Sequence, residues 1–329
     1  MMKALVFNNI KNLEYKEVPD IKVEQGEVLV KIKACGICSS DLDRYNFSGA
    51  YHYPIILGHE MAGEIVACAS DVDKDYIGKR AVIFPLLPCK QCENCNNGDY
   101  AQCNNYDYFG SRRDGGFGEY IAVPIWNIKV FENTIPYSTA ALTEPASVAW
   151  HCVSKILQNK DKNILIIGSG TIGILIALWA KMKNFDPWFI SRNETKTKFL
   201  NSFGIDNIIS NDTNKKFDTV IECVGSNESY IQAIDFVKTK GQVILVGNPK
   251  SDMTLPRKLY WKILRQELNI TGIWNSIYES DWVSVLNNIS KIPAEKLITH
   301  KFELKDGTKA FETLSDSKQF KIKGMFIIE

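Results

Sequence analysis

Cys38 and the run Leu57-Gly58-His59-Glu60 bring a thiol, an imidazole and a carboxyl group into one short stretch of chain. A borderline-soft cation such as zinc favours ligands of these types, and a catalytic zinc keeps one coordination position open for substrate. Alone, the Cys38/His59 pair reads equally as a buried thiol and a core histidine, because the chain holds nine cysteines. Two later features favour the metal: a second cysteine cluster and a glycine turn of the dinucleotide-binding kind.

Cys89, Cys92, Cys95 and Cys103 form C-x2-C-x2-C-x7-C in a loop rich in Asn, Asp and Gly. Four thiolates on one loop can close a tetrahedral zinc shell with no open position, which makes a structural site. Such a site contributes on the order of 10 kcal/mol to folding its lobe. An iron–sulfur cluster is the rival, since it takes the same ligands. An odd cysteine count with four of nine clustered fits thiolate ligands in a reducing, cytoplasmic setting better than a disulfide framework.

Asn163-Ile164-Leu165-Ile166-Ile167 reads as a buried strand and Ile174 to Ala180 as an apolar helix. Between them Gly168, Gly170, Thr171, Ile172 and Gly173 supply G-x-G-x-x-G. There the first glycine permits a tight turn, the second lets backbone approach a pyrophosphate, and the third lets helix and strand pack. Helix N-terminal amides hold the anion. The next strand, Trp188-Phe189-Ile190, ends in Ser191-Arg192 rather than the acidic residue that would bond the ribose 2′-hydroxyl of NAD. A hydroxyl and a guanidinium suit a 2′-phosphate, so NADP(H) is the expected cofactor; Glu194 would revert it to NAD(H) if it, rather than Ser191, reached the ribose. Strand-like runs ending at Val224-Gly225 and at Gly247 put those residues at the carboxyl edge of the sheet, where a nicotinamide ribose belongs.

Glu144 stands in a run of small and apolar residues, where an ionised carboxylate is costly unless paired or bound to metal. It is therefore the expected third partner of Cys38 and His59, while His151 reads as a packing residue. The segment Tyr108 to Tyr120 is rich in glycine and contains Arg112-Arg113, which is either a local anion site or a solvated turn.

The elements that must position these groups follow from pattern and composition. Of 329 residues, 45% are apolar and 23% charged, enough for roughly two domains with cores that need no disulfides. Lys plus Arg nearly balances Asp plus Glu, which gives no global field for nucleic acid or an anionic membrane. No apolar run approaches the ~18 residues of a membrane span, and Met1 to Phe7 reads as a strand rather than a signal peptide. Short strands and turns up to about Val123 indicate a mostly β unit. Strands alternating with helices after Asn163 indicate an α/β, doubly wound parallel sheet.

In order along the chain, Cys38-Ser39-Ser40-Asp41, Gly58-His59-Glu60, the four clustered cysteines, Asp114-Gly115-Gly116-Phe117, Glu144-Pro145 and Gly168 to Gly173 resemble the zinc-dependent medium-chain dehydrogenases. Tyr53-Pro54-Ile55, Pro85 to Cys89, Tyr106-Asp107-Tyr108 and Gly272-Ile273-Trp274-Asn275 resemble the polyol branch, especially members acting on phosphate-bearing polyols. The resemblance implies a GroES-like catalytic domain over 1–145 and 285–329, with a Rossmann domain inserted over 146–284, assembled as a homodimer or homotetramer. It implies two zinc ions per chain, one catalytic on Cys38, His59 and Glu144 with Glu60 as an alternating ligand, and one structural. Ser40 would sit beside the reacting hydroxyl. Arg44, Arg112, Arg113, Trp274 and Asn275 would contact substrate. Where many relatives carry a histidine this chain has Asp43, so the outer proton relay is missing or rerouted. The expected reaction is NADPH-linked reduction of a ketose phosphate to a sugar-alcohol phosphate. NAD-linked oxidation of a phosphorylated or unphosphorylated polyol is the alternative, and a non-catalytic dinucleotide-binding protein the distant one.

Overall fold

Glu27–Ile37 alternates inward and outward residues before its last four turn wholly inward, and this strand is the hub of the first sheet. In the computed structural model, which describes residues 1–157, 162–191 and 193–329, it pairs antiparallel with Glu60–Cys68, Tyr120–Pro124 and Lys323–Ile327. The sheet continues through Arg80–Ile83 to Ile128–Val130 on one side and to Ile298–Phe302 on the other. Pairing with Lys323–Ile327 draws the end of the chain to the segment that leads into Cys38. Phe117 packs its ring against those of Phe326 and Phe311, with centroids 4.9 and 6.1 Å away and all three fully buried, which joins the glycine-rich run to the last stretch of the chain in one core. Each such side chain contributes roughly 1.5–3 kcal/mol by leaving water.

The chain divides into two units, Met1–Glu144 with Ile277–Glu329, and Pro145–Ser276. The return to the first unit begins at Ile277, ahead of position 285, because Tyr278 stacks on Phe84 at 4.2 Å and donates its hydroxyl proton to the Trp126 carbonyl. Trp282 meets the same Phe84 edge-on at 5.3 Å.

The second unit holds six parallel strands in the order Ile208–Ile209, Asp186–Ile190, Asn163–Ile167, Phe217–Glu222, Val237–Leu245 and Asn269–Gly272. This is the doubly wound order in which the first strand of the unit lies centrally beside the reversal of strand order. Ile164 to Ile167 are buried, as are Ile174 to Ala180 of the helix Thr171–Met182 that follows. Among the described residues no helix is long and apolar enough to cross a membrane.

Candidate active site

Cys38 follows the strand Glu27–Ile37 and caps the start of the short helix Ser39–Asp43. Its backbone N–H donates to Asp41 Oδ2 at 2.9 Å, fixing the turn that presents the thiol. His59 and Glu60 arrive from a segment pinned by strand-like bonds: Gly115 N–H to Ile56 O, Gly116 N–H to Gly58 O and Phe117 N–H to Leu57 O, at 2.8 to 3.0 Å. The glycine-rich run therefore positions His59 and Glu60. Cys38 Sγ, a His59 nitrogen and a Glu60 carboxylate oxygen all lie within 4.8 Å of one another.

His59 is buried, and its Nδ1 is 3.6 Å from Asp41 Oδ1. Burial works against its charged form, but the fully buried Asp41 carboxylate and the Cys38 sulfur together outweigh that and raise the imidazole pKa well above its ordinary value. With Nδ1 turned to Asp41, Nε2 is the nitrogen left for an ion, the usual arrangement of a carboxylate behind a metal-ligating histidine. Asp41 occurs in the sequence motif but carries no role there; its spacing of three from Cys38 is the signal that was available.

Glu144 lies outside the tight group that contains Glu60. Its Oε1 accepts a hydrogen bond from Tyr108 Oη at 3.3 Å, and the Tyr108 ring meets His59 edge-on at 5.9 Å. Burial raises the Glu144 carboxyl to about 7 against the pull of the His59 charge. Glu60, fully buried, receives two bonds from the buried Lys323 ammonium, at 2.6 and 2.9 Å. Lys323 also donates to Ile37 O at 3.3 Å. Nothing in the sequence marks this lysine, whose partner lies 263 positions away.

The second cysteine group is tighter. Cys89 and Cys95 sulfurs are 3.9 Å apart, Cys92 and Cys103 sulfurs 4.0 Å, and all four ligand atoms lie within 4.8 Å of one another. Zn–S bonds of ~2.3 Å make a tetrahedron with edges of about 3.8 Å, so these thiolates fit one ion. An iron–sulfur cluster would spread them farther, because irons and sulfides lie between its ligands. Backbone amides of Asn104 and Cys95 lower Cys92 to about 6, while burial lifts Cys95 to about 12. Of these two thiols, Cys92 is the one whose surroundings favour the ionised form.

In the second unit, Gly168 adopts φ +112°, and a Cβ on Gly173 would lie 1.9 Å from Gly168 O. Space around Gly170 is open to 4 Å. Thr171 and Ile172 open the helix, so its free amides face the turn. Glu222, at the end of its strand, accepts the backbone N–H groups of Val224 and Gly225 at 2.6 and 2.8 Å. Gly247 packs against the same Gly225. Glu222 is a shaping residue that strand patterning does not reveal. Ser191 Oγ is engaged at the start of the next helix, accepting from Asn193 N–H and Thr197 Oγ1 at 3.3 Å. Arg192 lies outside the described residues. The Glu194 side chain is exposed and pairs with Lys198 at 2.8 Å.

Ser40 is half-buried in the first turn after Cys38, and Arg44 follows on the next turn. Arg113 pairs with Asp107 at 2.7 Å. Trp274 and Asn275 lie at the end of the second unit, Trp274 exposed and Asn275 in the left-handed region at φ 58°.

Residues 24–132 match the alcohol dehydrogenase GroES-like domain and residues 171–291 the zinc-binding dehydrogenase domain. Galactitol 1-phosphate 5-dehydrogenase of Escherichia coli K12 is 36% identical over 308 residues, covering 86% of this chain and 87% of that protein. The crystal structure of galactitol-1-phosphate dehydrogenase from Escherichia coli superposes with a TM-score of 0.89 at 31% identity, covering 99% of this chain and 100% of the other. A protein termed a zinc-binding dehydrogenase, from Sinorhizobium meliloti 1021 and bound to NADP, gives 0.92 at 24% identity with 99% of each chain covered, which speaks to the fold. The chain belongs to the zinc-dependent medium-chain dehydrogenases, in their polyol branch, and is an oxidoreductase that uses zinc and a nicotinamide cofactor.

Proposed function

We propose that the chain interconverts a phosphate-bearing sugar alcohol and its ketose, with NADPH-linked reduction of the ketose phosphate as the working direction. The observation that carries this reading is the convergence of Cys38, His59 and Glu60 within 4.8 Å, backed by Asp41, with Glu144 on the His59 side. Cys38, His59 and Glu144 would hold the catalytic ion, with Glu60 kept in reserve by Lys323, and the four clustered thiolates a second, structural one. Bound there, zinc acts as a Lewis acid that makes a polyol hydroxyl acidic near neutrality.

The chain's own groups do the rest. Asp41 holds the His59 ring in one orientation. Ser40, beside Cys38, exchanges the proton of the reacting hydroxyl, and Asp43 cannot play the outer relay part of a histidine as a neutral base. Gly168 to Gly173 seat the pyrophosphate, and Val224, Gly225 and Gly247, braced by Glu222, shape the nicotinamide end of the strand edge. Ser191 and Arg192 at the end of the second strand support NADP(H). The open outer edge of Asn269–Gly272, with Ile270 exposed, supports self-association as a homodimer. Clustered thiols kept as metal ligands rather than disulfides support a reducing, cytoplasmic location.

NAD-linked oxidation of galactitol 1-phosphate is the second reading, favoured by the 36% identity to an enzyme of that name. Initial rates with ketose phosphates and alditol phosphates against both cofactors separate the two. Turnover of neither class would defeat the proposal and leave an unphosphorylated polyol as the substrate.

A further inference from the structure

Arg44 begins the helical turn Arg44–Ser48, six residues beyond Cys38 and roughly 9 Å along the helix axis. Its guanidinium carbon lies 5.2 Å from the Tyr51 ring centre. Arg112 comes from the glycine-rich loop, and its guanidinium carbon lies 4.9 Å from the same Tyr51 ring and 4.3 Å from that of Tyr106. The two cations are therefore no more than about 10 Å apart. Among the described residues neither has a carboxylate within ion-pair distance, and the one hydrogen bond of the Arg112 guanidinium there is to the Tyr106 carbonyl, at 3.3 Å. Arg113, next in sequence, is taken by Asp107.

Two like charges gathered on one exposed tyrosine, with no acid between them, repel unless an anion joins them. Stacking on an aromatic face leaves the N–H edge of each guanidinium free and oriented, the form that grips a phosphate through two hydrogen bonds. Both arms start from the walls of the candidate metal centre. Arg44 continues the helix that Cys38 opens, and Arg112 N–H bonds Tyr108 O, whose ring lies against His59.

We infer that Arg44 and Arg112, stacked on Tyr51, form a subsite for the phosphate monoester of the substrate, and that Arg113 takes no part. The identity of the ligand rests on the sugar-alcohol phosphate reading; the anion site itself rests on the two guanidiniums. Such a pair would select phosphorylated over plain polyols.

Binding of inorganic phosphate to the zinc-loaded chain, with NADP(H) present to occupy the glycine turn, tests this by titration calorimetry. Arg44→Gln and Arg112→Gln should each weaken binding roughly tenfold or more, the loss expected for a charge-assisted hydrogen bond, whereas Arg113→Gln keeps wild-type affinity. Arg44→Lys, which keeps charge but not the fork, serves if Arg44→Gln does not fold, and should bind more weakly than wild type. Wild-type affinity in the Arg44 and Arg112 variants, or no binding by the wild type, overturns the subsite. If phosphate binding is lost in both variants yet no polyol phosphate turns over, the subsite stands and the substrate reading falls. In the active enzyme, Arg44→Gln should raise KM for a phosphorylated polyol with kcat nearly unchanged, and leave KM for the unphosphorylated one alone.

Discussion

Lys323 binds both carboxylate oxygens of Glu60, at 2.6 and 2.9 Å, tying the last strand of the chain to the strand that starts immediately after His59. Both groups are almost wholly buried. The ion pair keeps a third acidic side chain facing the lysine while its oxygens stay within reach of Cys38 and His59.

Removing one member leaves the other as an uncompensated buried charge, so Lys323→Met should lower stability by about 3–5 kcal/mol. Glu60→Gln combined with Lys323→Met should recover most of that loss, since neither charge then remains. Denaturant unfolding of the three chains measures both; equal stability of wild type and Lys323→Met would refute the pairing.

Alkaline pH probes the same contact. Burial opposes the Lys323 charge, but Glu60, helped by Cys38 and Glu144, more than offsets it and raises the lysine pKa in the folded chain. The folded state then binds the proton more tightly than the unfolded one, whose lysine titrates near 10.4. The contribution of the pair is complete below about pH 10.4 and declines as pH rises through the folded value. The stability gap between wild type and the double variant should stay level from neutrality up to that region and narrow above it.

Asp41→Asn keeps the shape of the turn after Cys38 but weakens the hold on His59 Nδ1. Zinc affinity at the first site, read by competition with a chromogenic chelator, should fall roughly 10–100-fold, the usual effect of losing the carboxylate behind a ligating histidine. An unchanged affinity would mean that the 3.6 Å approach does not orient the ring.

Ser191→Asp would put at the end of the second strand the carboxylate that repels a 2′-phosphate and accepts the ribose 2′-hydroxyl. The ratio of kcat/KM for NADPH over NADH should drop at least about tenfold. If the wild type already prefers NADH, Glu194 or another group sets the choice.

What could be read from the chain was what is local. C-x2-C-x2-C-x7-C and G-x-G-x-x-G each lie in one loop, and the folded geometry gathers the four sulfurs and sets Gly173 against Gly168. Cys38 and His59 are ambiguous alone and legible as a pair only beside those two local motifs. Lys323 was not, since only strand pairing brings it to Glu60, and Asp41 looked like one more polar helix residue. Where the chain rejoins the first unit is not legible locally, because Tyr278 and Trp282 resemble any other aromatic residues until Phe84 and Trp126 are seen beside them. Of the three arginines, the sequence could not tell that Asp107 occupies Arg113.

The account depends most on Cys38 and His59 holding the ion at which a sugar alcohol reacts. Zinc per chain, counted by elemental analysis in wild type and Cys38→Ser beside polyol turnover, tests it most directly. The expected result is two zincs falling to one, with turnover lost and circular dichroism unchanged. Two zincs and full turnover in Cys38→Ser would contradict it.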